Sequence, residues 1–183
     1  MSEIENLLNG YEQTISLPWE HNLAGPQKVW IAIYEPSQER RLRFRVADFE
    51  VITKKAGYSW VHLDITDAFA NWMAHNDYRE EYFHNPDDLD LALPEFAAHV
   101  ADQVRKILAD ARADARTVVA LSGLASLFGL TRASELIEDI APSIKGRLLV
   151  FFPGHQEGSN RRLLDARDGW NYLALSITAS KGA

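Results

Sequence analysis

Few side chains in this sequence combine a reactive type with a position suited to chemistry. In an α/β chain that position is the carboxyl end of a strand, where loops meet helix N-termini. The first such place is Glu35-Pro36-Ser37-Gln38-Glu39-Arg40-Arg41. A loop there holds phosphate through free backbone amides and a glycine that allows close approach. This one has no glycine and no Gly-Lys-Ser/Thr, and Pro36 removes a donor. Arg40, Arg41, Arg43 and Arg45 make a local basic cluster with Glu39 and Glu50 beside it. It reads either as a solvated helix edge or as a contact for an anion or an acidic partner.

Asp64 and Asp67 offer the hard oxygens that magnesium prefers. Helix capping by Thr66 or Asp67 accounts for one of them without a metal. Ser122 follows a strand, but Ser122-Gly123-Leu124-Ala125-Ser126-Leu127-Phe128-Gly129 is not a Gly-x-Ser-x-Gly elbow. No histidine is close in sequence to Ser122 or Ser126, so any base must come from a distant part of the chain. His21, His62, His75, His84, His99 and His155 show neither His-Glu-x-x-His nor a zinc spacing, and His62 reads as a packed or paired core residue. The expectation is a protein with no catalytic motif, no cofactor and no metal site.

The elements that would position these groups alternate. Residues 2–15 place Ile4, Leu7, Leu8, Tyr11 and Ile15 on one helical face, with Ser2 and Glu5 spaced as a capping box and Asn9-Gly10 as a point of fraying. Val29 to Tyr34 is a continuous apolar run of buried-strand length. Leu42, Val46, Phe49 and Ile52 then recur at helical spacing before Gly57. Tyr58 to Ile65 reads as a second strand, followed by a helix on Phe69, Trp72 and Met73. Residues 78–93 are polar and acidic and read as an exposed excursion, ahead of a helix on Phe96, Val100, Val104, Ile107, Leu108 and Ala111.

Thr117 to Leu121 is a third strand, a helical segment ends at Pro142, and Arg147 to Phe152 is a fourth strand closed by Pro153-Gly154. Asp168-Gly169 has hairpin character. Residues 161–179 therefore read as a C-terminal hairpin or edge strand, with Tyr172 to Ala179 the fifth strand beside a short antiparallel piece at Leu163 and Leu164. The whole, residues 1–183, reads as one α/β domain. Its sheet is mainly parallel, of about five strands, with helices on both faces: a Rossmann-like or P-loop-like three-layer sandwich lacking Walker motifs.

Composition narrows function. The chain has no cysteine, which removes disulfides and thiolate chemistry and fits a reducing compartment. Met1-Ser2-Glu3-Ile4-Glu5 is unlike an export signal, and no run approaches the roughly 18 apolar residues of a membrane span. A cytoplasmic protein with no membrane partner is expected. The formal net charge of -7 works against sequence-independent nucleic-acid binding. Trp19, Trp30, Trp60, Trp72 and Trp170 read as core rather than as a platform for bases. Residues 78–83 and 161–172 mix Arg, Asp, Tyr and Trp, a composition found at interface hot spots. Tyr78, Arg79, Tyr82, Arg161, Arg162, Arg167, Asp168, Trp170 and Tyr172, with Arg40 and Arg41, are thus the candidate interaction residues.

Four blocks carry a resemblance. They are Leu17-Pro18-Trp19 with Asn22-Leu23-Ala24-Gly25, the segment 121–129 given above, Gly146-Arg147-Leu148-Leu149-Val150-Phe151-Phe152-Pro153-Gly154, and Leu163-Leu164-Asp165-Ala166-Arg167-Asp168-Gly169-Trp170-Asn171-Tyr172. In these the chain closely resembles the BrxB family, small proteins of bacterial BREX phage-defence clusters, from about Leu17 to Ile177. The family pattern has proline where this chain has Ser176. The resemblance implies an accessory, non-catalytic interaction subunit of a system that methylates host DNA and restricts phage. PglZ, the alkaline-phosphatase-like component, is the partner it implies first, with the methyltransferase and the large ATPase as others. Two alternatives stay open: a degenerate nucleotide- or phosphate-binding enzyme using Arg40, Arg41, Asp64 and Asp67, and a DNA-contacting adaptor using Arg161, Arg162 and Arg167.

Overall fold

The apolar runs of the sequence lie side by side in one sheet. Strands β1 (Val29–Tyr34), β2 (Ser59–Asp64), β3 (Thr117–Ser122), β4 (Arg147–Glu157) and β6 (Leu175–Thr178) pair in parallel in the order β2-β3-β4-β1-β6. A short β5 (Asn160–Leu163) folds back antiparallel on the end of β4. The structure is a computed structural model and describes residues 2–165, 170 and 172–179. Strands β1 and β3 are buried at every position, which is why Val29–Tyr34 and residues 118–121 read as apolar runs: helices cover the sheet on both faces. Helices α1 (Glu3–Ile15) and α2 (Glu39–Lys55) pack Tyr11, Leu42 and Phe49 on Trp30, Ala32, Leu149 and Phe151. On the other face α3 (Ala68–Ala74), α5 (Leu89–Ala109) and α6 (Ala133–Ile140) close over Ile31, Val119, Val150 and Phe152. The fold is Rossmann-like. Among the described residues no helix is long and apolar enough to cross a membrane.

The predicted capping box is present, the Ser2 N–H donating to Glu5 Oε2 at 2.7 Å and Ser2 Oγ accepting from the Glu5 N–H at 3.4 Å. Gly10 does not fray α1. A Cβ there would lie 3.2 Å from Ile177 Cγ2, so the glycine lets the helix settle on β6. One turn on, the buried Tyr11 hydroxyl pairs with Thr53 Oγ1 at 2.6 Å and ties α1 to α2.

Three boundaries differ from expectation. Strand β4 does not stop at Pro153-Gly154 but runs on to Glu157, and Gly158, at φ +60°, turns it into β5. Proline lacks a donor, yet the Pro153 carbonyl accepts from the Leu164 N–H at 2.8 Å. The excursion after α3 is exposed but regular, forming α4 (Arg79–His84) and the first turn of α5, which starts at Leu89 and accommodates Pro94. At the C-terminus the fifth parallel strand is only Leu175–Thr178, and the antiparallel piece is β5 with an isolated Arg161–Trp170 bridge. The expected Asp168-Gly169 turn lies outside the described residues.

Candidate functional site

The parallel register of β2 and β3 sets Asp64 opposite Ser122 and His62 two pairs earlier, opposite Ala120. Alternation along a strand sends Trp60, His62 and Asp64 to the face that Ser122 shares. There His62 Nε2 and Ser122 Oγ lie 2.8 Å apart. The distant base that the sequence left unplaced is therefore His62. It is paired, as expected, but exposed rather than core, because β2 is an edge strand: the His62 side is open while Ser122 is buried. Burial of its inner side pushes His62 below the ordinary imidazole pKa, against the opposing pull of Asp64 and Glu50. Arg43, Val46, Glu50 and Trp60 complete the walls of a groove of about 520 Å³ between α2 and β2.

Arg43 closes one end of this groove. Its Nε donates to Glu39 Oε1 and its Nη2 to Thr66 Oγ1, both at 2.8 Å, and Nη1 lies 3.4 Å from Asp64 Oδ2. Asp64 Oδ1 accepts from the Thr66 N–H at 2.9 Å and from its hydroxyl at 2.5 Å. Asp64 is thus the residue that organises the turn; Asp67 sits at the cap of α3 without a side-chain bond there. Burial alone would raise the Asp64 carboxyl, but the two Thr66 donors and the Arg43 cation outweigh it and hold it below the usual carboxylate range. A depressed folded pKa gives stability that is present above the unfolded value and lost as pH falls through the folded one. The difference in urea midpoint between wild type and Asp64→Asn should therefore shrink as pH drops below about 3.9. A difference independent of pH would contradict the charge pairing. Among the described residues no three His, Asp or Glu side chains come together as a metal ligand set.

The crevice where Rossmann-like proteins usually receive ligands, at the carboxyl ends of β1 and β4, is lined here by Glu3, Tyr34, Glu35, His155 and Thr178. The Glu35 N–H, the donor a phosphate would need, is held by Glu3 Oε1 at 2.7 Å. Tyr34 donates its hydroxyl to Glu39. Glu3 and Glu39 thus take up these two donors, beside a cavity of about 520 Å³. Arg40 and Arg41 are exposed outside it, Arg41 donating to Gln38 Oε1 at 3.3 Å.

Two of the C-terminal candidates, Arg161 and Trp170, are buried. Arg161 is 5% exposed, donating from Nε to Ser176 Oγ at 2.8 Å, from Nη1 to the Tyr172 carbonyl at 3.0 Å and from Nη2 to the Ala174 carbonyl at 2.7 Å. It clasps the segment leading into β6, and Ser176, the departure from the BrxB pattern, is one of its acceptors. Trp170 is buried too, with Nε1 donating to Glu138 Oε1 at 3.1 Å and Tyr172 stacked on it at 4.8 Å between ring centres. Arg162 is half-buried, with Nε 3.1 Å from Glu157 Oε2. Arg167 and Asp168 lie outside the described residues. No known family model, curated protein or solved structure matches the chain. Its surface must therefore be read on its own terms.

That surface is marked by the excursion. Tyr78, Phe83 and Leu91 are 69%, 65% and 85% exposed. Helix α4 buries no residue at all. Tyr82 is half-buried, and Arg79 is exposed with its Nη1 donating to the Ala74 carbonyl at 2.7 Å. The same segment carries Asp77, Glu80, Glu81, Asp87, Asp88 and Asp90 against Arg79, so its exposed apolar side chains sit in an acidic stretch of chain.

The sequence reading also missed Arg147. It is buried at the start of β4 with its guanidinium 4.7 Å from the Trp19 ring centre and 5.8 Å from that of Trp30, while Trp19 stacks on Tyr58 at 3.8 Å. Its Nη2 donates to the Glu20 carbonyl at 3.1 Å. The Leu17-Pro18-Trp19 block is thus a strap pinned across the amino end of the sheet, a structural role. Of the five tryptophans, Trp30 and Trp170 are core and Trp19, Trp60 and Trp72 are half-buried against it.

Proposed function

We propose that this chain is an interaction subunit that docks a partner through the excursion formed by α4 and the first turn of α5. One observation carries the reading: Tyr78, Phe83 and Leu91, three large apolar side chains, are exposed within one short acidic segment whose helix α4 buries no residue. Singly exposed leucines need no explanation, but three large apolar groups on one short segment mark a binding surface. The carboxylates around them give that surface a charge preference. A partner face that is basic around an apolar pocket gains steering as well as contact area.

The resemblance to the BrxB family supplies the setting, a cytoplasmic BREX phage-defence and host-DNA-methylation system with PglZ as the first partner to test. Co-expression of the chain with each BREX component, followed by size exclusion, is expected to bring PglZ through as a stable complex. Separate elution from every component overturns the reading. The nucleotide-binding alternative gains no support from a crevice whose Glu35 N–H is already taken by the Glu3 carboxylate. The DNA-adaptor alternative loses Arg161, which is buried with Nε, Nη1 and Nη2 each donating inside the fold.

A further inference from the structure

The groove between α2 and β2 is on the opposite face of the sheet from the core that α3 and α5 cover, and docking through the excursion makes no use of it. Its floor holds a hydroxyl and an imidazole in direct contact. The Ser122 hydroxyl has His62 Nε2 as its side-chain partner at 2.8 Å. Strand β2 is already held to β3 by a six-residue register, so one more bond at its end adds little to pairing. The pair has instead the parts of an activated nucleophile. A serine at the carboxyl end of a parallel strand is hydrogen-bonded to a base, and the base is reached from solvent.

We propose that Ser122 is a reactive nucleophile, with His62 as its general base, that accepts the acyl group of a carboxylic ester bound in this groove. Neutral His62 with a free Nε2 lone pair takes the proton as Ser122 Oγ bonds to the ester carbonyl carbon. Collapse of the tetrahedral adduct breaks the bond to the alkoxy oxygen, and the departing alcohol leaves with the proton from His62. Water then repeats the sequence on the acyl-serine, giving up a proton to His62 and releasing the acid. Asp64 and Glu50, the carboxylates whose charge favours protonated His62, stabilise the imidazolium formed in each step. They also fix the substrate class. Arg43 at the end of the groove is paired with Glu39 and Asp64, so between these carboxylates and beside Trp60, Val46 and Ala47 a neutral or cationic ester with an apolar acyl group fits better than an anionic phosphoester.

The test is active-site labelling of the full chain with an alkyl fluorophosphonate, a neutral phosphoryl fluoride that traps an activated serine, read by intact mass and peptide mapping. The expected result is one adduct on Ser122, absent in Ser122→Ala, formed on the order of 100-fold more slowly in His62→Gln, and unchanged in Ser126→Ala. Ser126 is the internal control because its hydroxyl is spent on the Ile65 and Gly123 carbonyls. The labelling rate should rise with pH and level off below neutrality, following deprotonation of His62. Label on another residue, equal labelling in Ser122→Ala or His62→Gln, or none above that of heat-denatured protein overturns the proposal. Mapping the adduct in wild type keeps the test decisive even if Ser122→Ala folds poorly.

Discussion

Arg161→Met is expected to lower the unfolding free energy by about 3 kcal/mol and to loosen β6 from β1. Arg161 is a buried cation with no carboxylate partner among the described residues; its contacts there are the Ser176 hydroxyl, the Tyr172 and Ala174 carbonyls, and the Trp170 face at 6.0 Å. Methionine fills similar space and removes the desolvated charge, which returns some free energy. It also leaves two inward-facing carbonyls and a hydroxyl without donors, at about 1–3 kcal/mol each where water cannot reach them. The loss dominates. Lysine should not rescue, because a single ammonium cannot span three acceptors set out for a planar fork. Urea unfolding measures the cost, and limited trypsin digestion detects the freed C-terminal segment. An Arg161→Met protein as stable and as resistant as wild type would show that the clasp contributes nothing.

The second large effect is expected at Gly146→Ala, at about 3 kcal/mol. A Cβ there would sit 2.1 Å from the Thr117 carbonyl oxygen and 2.9 Å from that of Asp114. Both are backbone atoms, and the turn carrying them cannot yield. Thr117 Oγ1 donates to the Arg112 carbonyl at 3.0 Å and the Thr117 N–H to the Asp114 carbonyl at 3.2 Å. Overpacking against fixed backbone forces β3 and β4 apart where their pairing begins. Gly129→Ala is the matched comparison. Its φ of +77° disfavours a side chain, but nothing lies within 4 Å of the added carbon, so only the conformational cost of about 1 kcal/mol remains. Equal melting shifts for the two variants would contradict the packing argument.

How far the sequence alone reached depended on whether local pattern or distant contact decided each feature. The sheet was legible because a fully covered parallel strand is apolar along its covered length, as Val29–Tyr34 and residues 118–121 are. Pro153-Gly154 misled because both residues usually punctuate. Here the missing proline donor falls where only a carbonyl is used, and Gly154 admits the Arg162 carbonyl, which would lie 1.9 Å from a Cβ. Arg161 was read as surface on side-chain type, yet a signal was present: it shares its face of β5 with Leu163, and Arg147 shares its face of β4 with Leu149 and Phe151. His62 and Ser122 had no such signal. Sixty residues separate them, and only the β2–β3 register, which no single sequence displays, brings them together.

The exposed excursion was legible from its polarity, but which of its apolar side chains remain uncovered was not. That depends on α4 riding outside the core. The most direct test of the docking account is therefore isothermal titration of purified PglZ with the wild-type chain and with Phe83→Glu/Leu91→Glu, alongside thermal melts of both. The expected result is saturable binding by wild type that weakens as salt rises, binding abolished in the double variant, and superimposable melts, since neither side chain is buried. Unchanged affinity in a variant that melts like wild type would place the docking surface elsewhere and contradict the account.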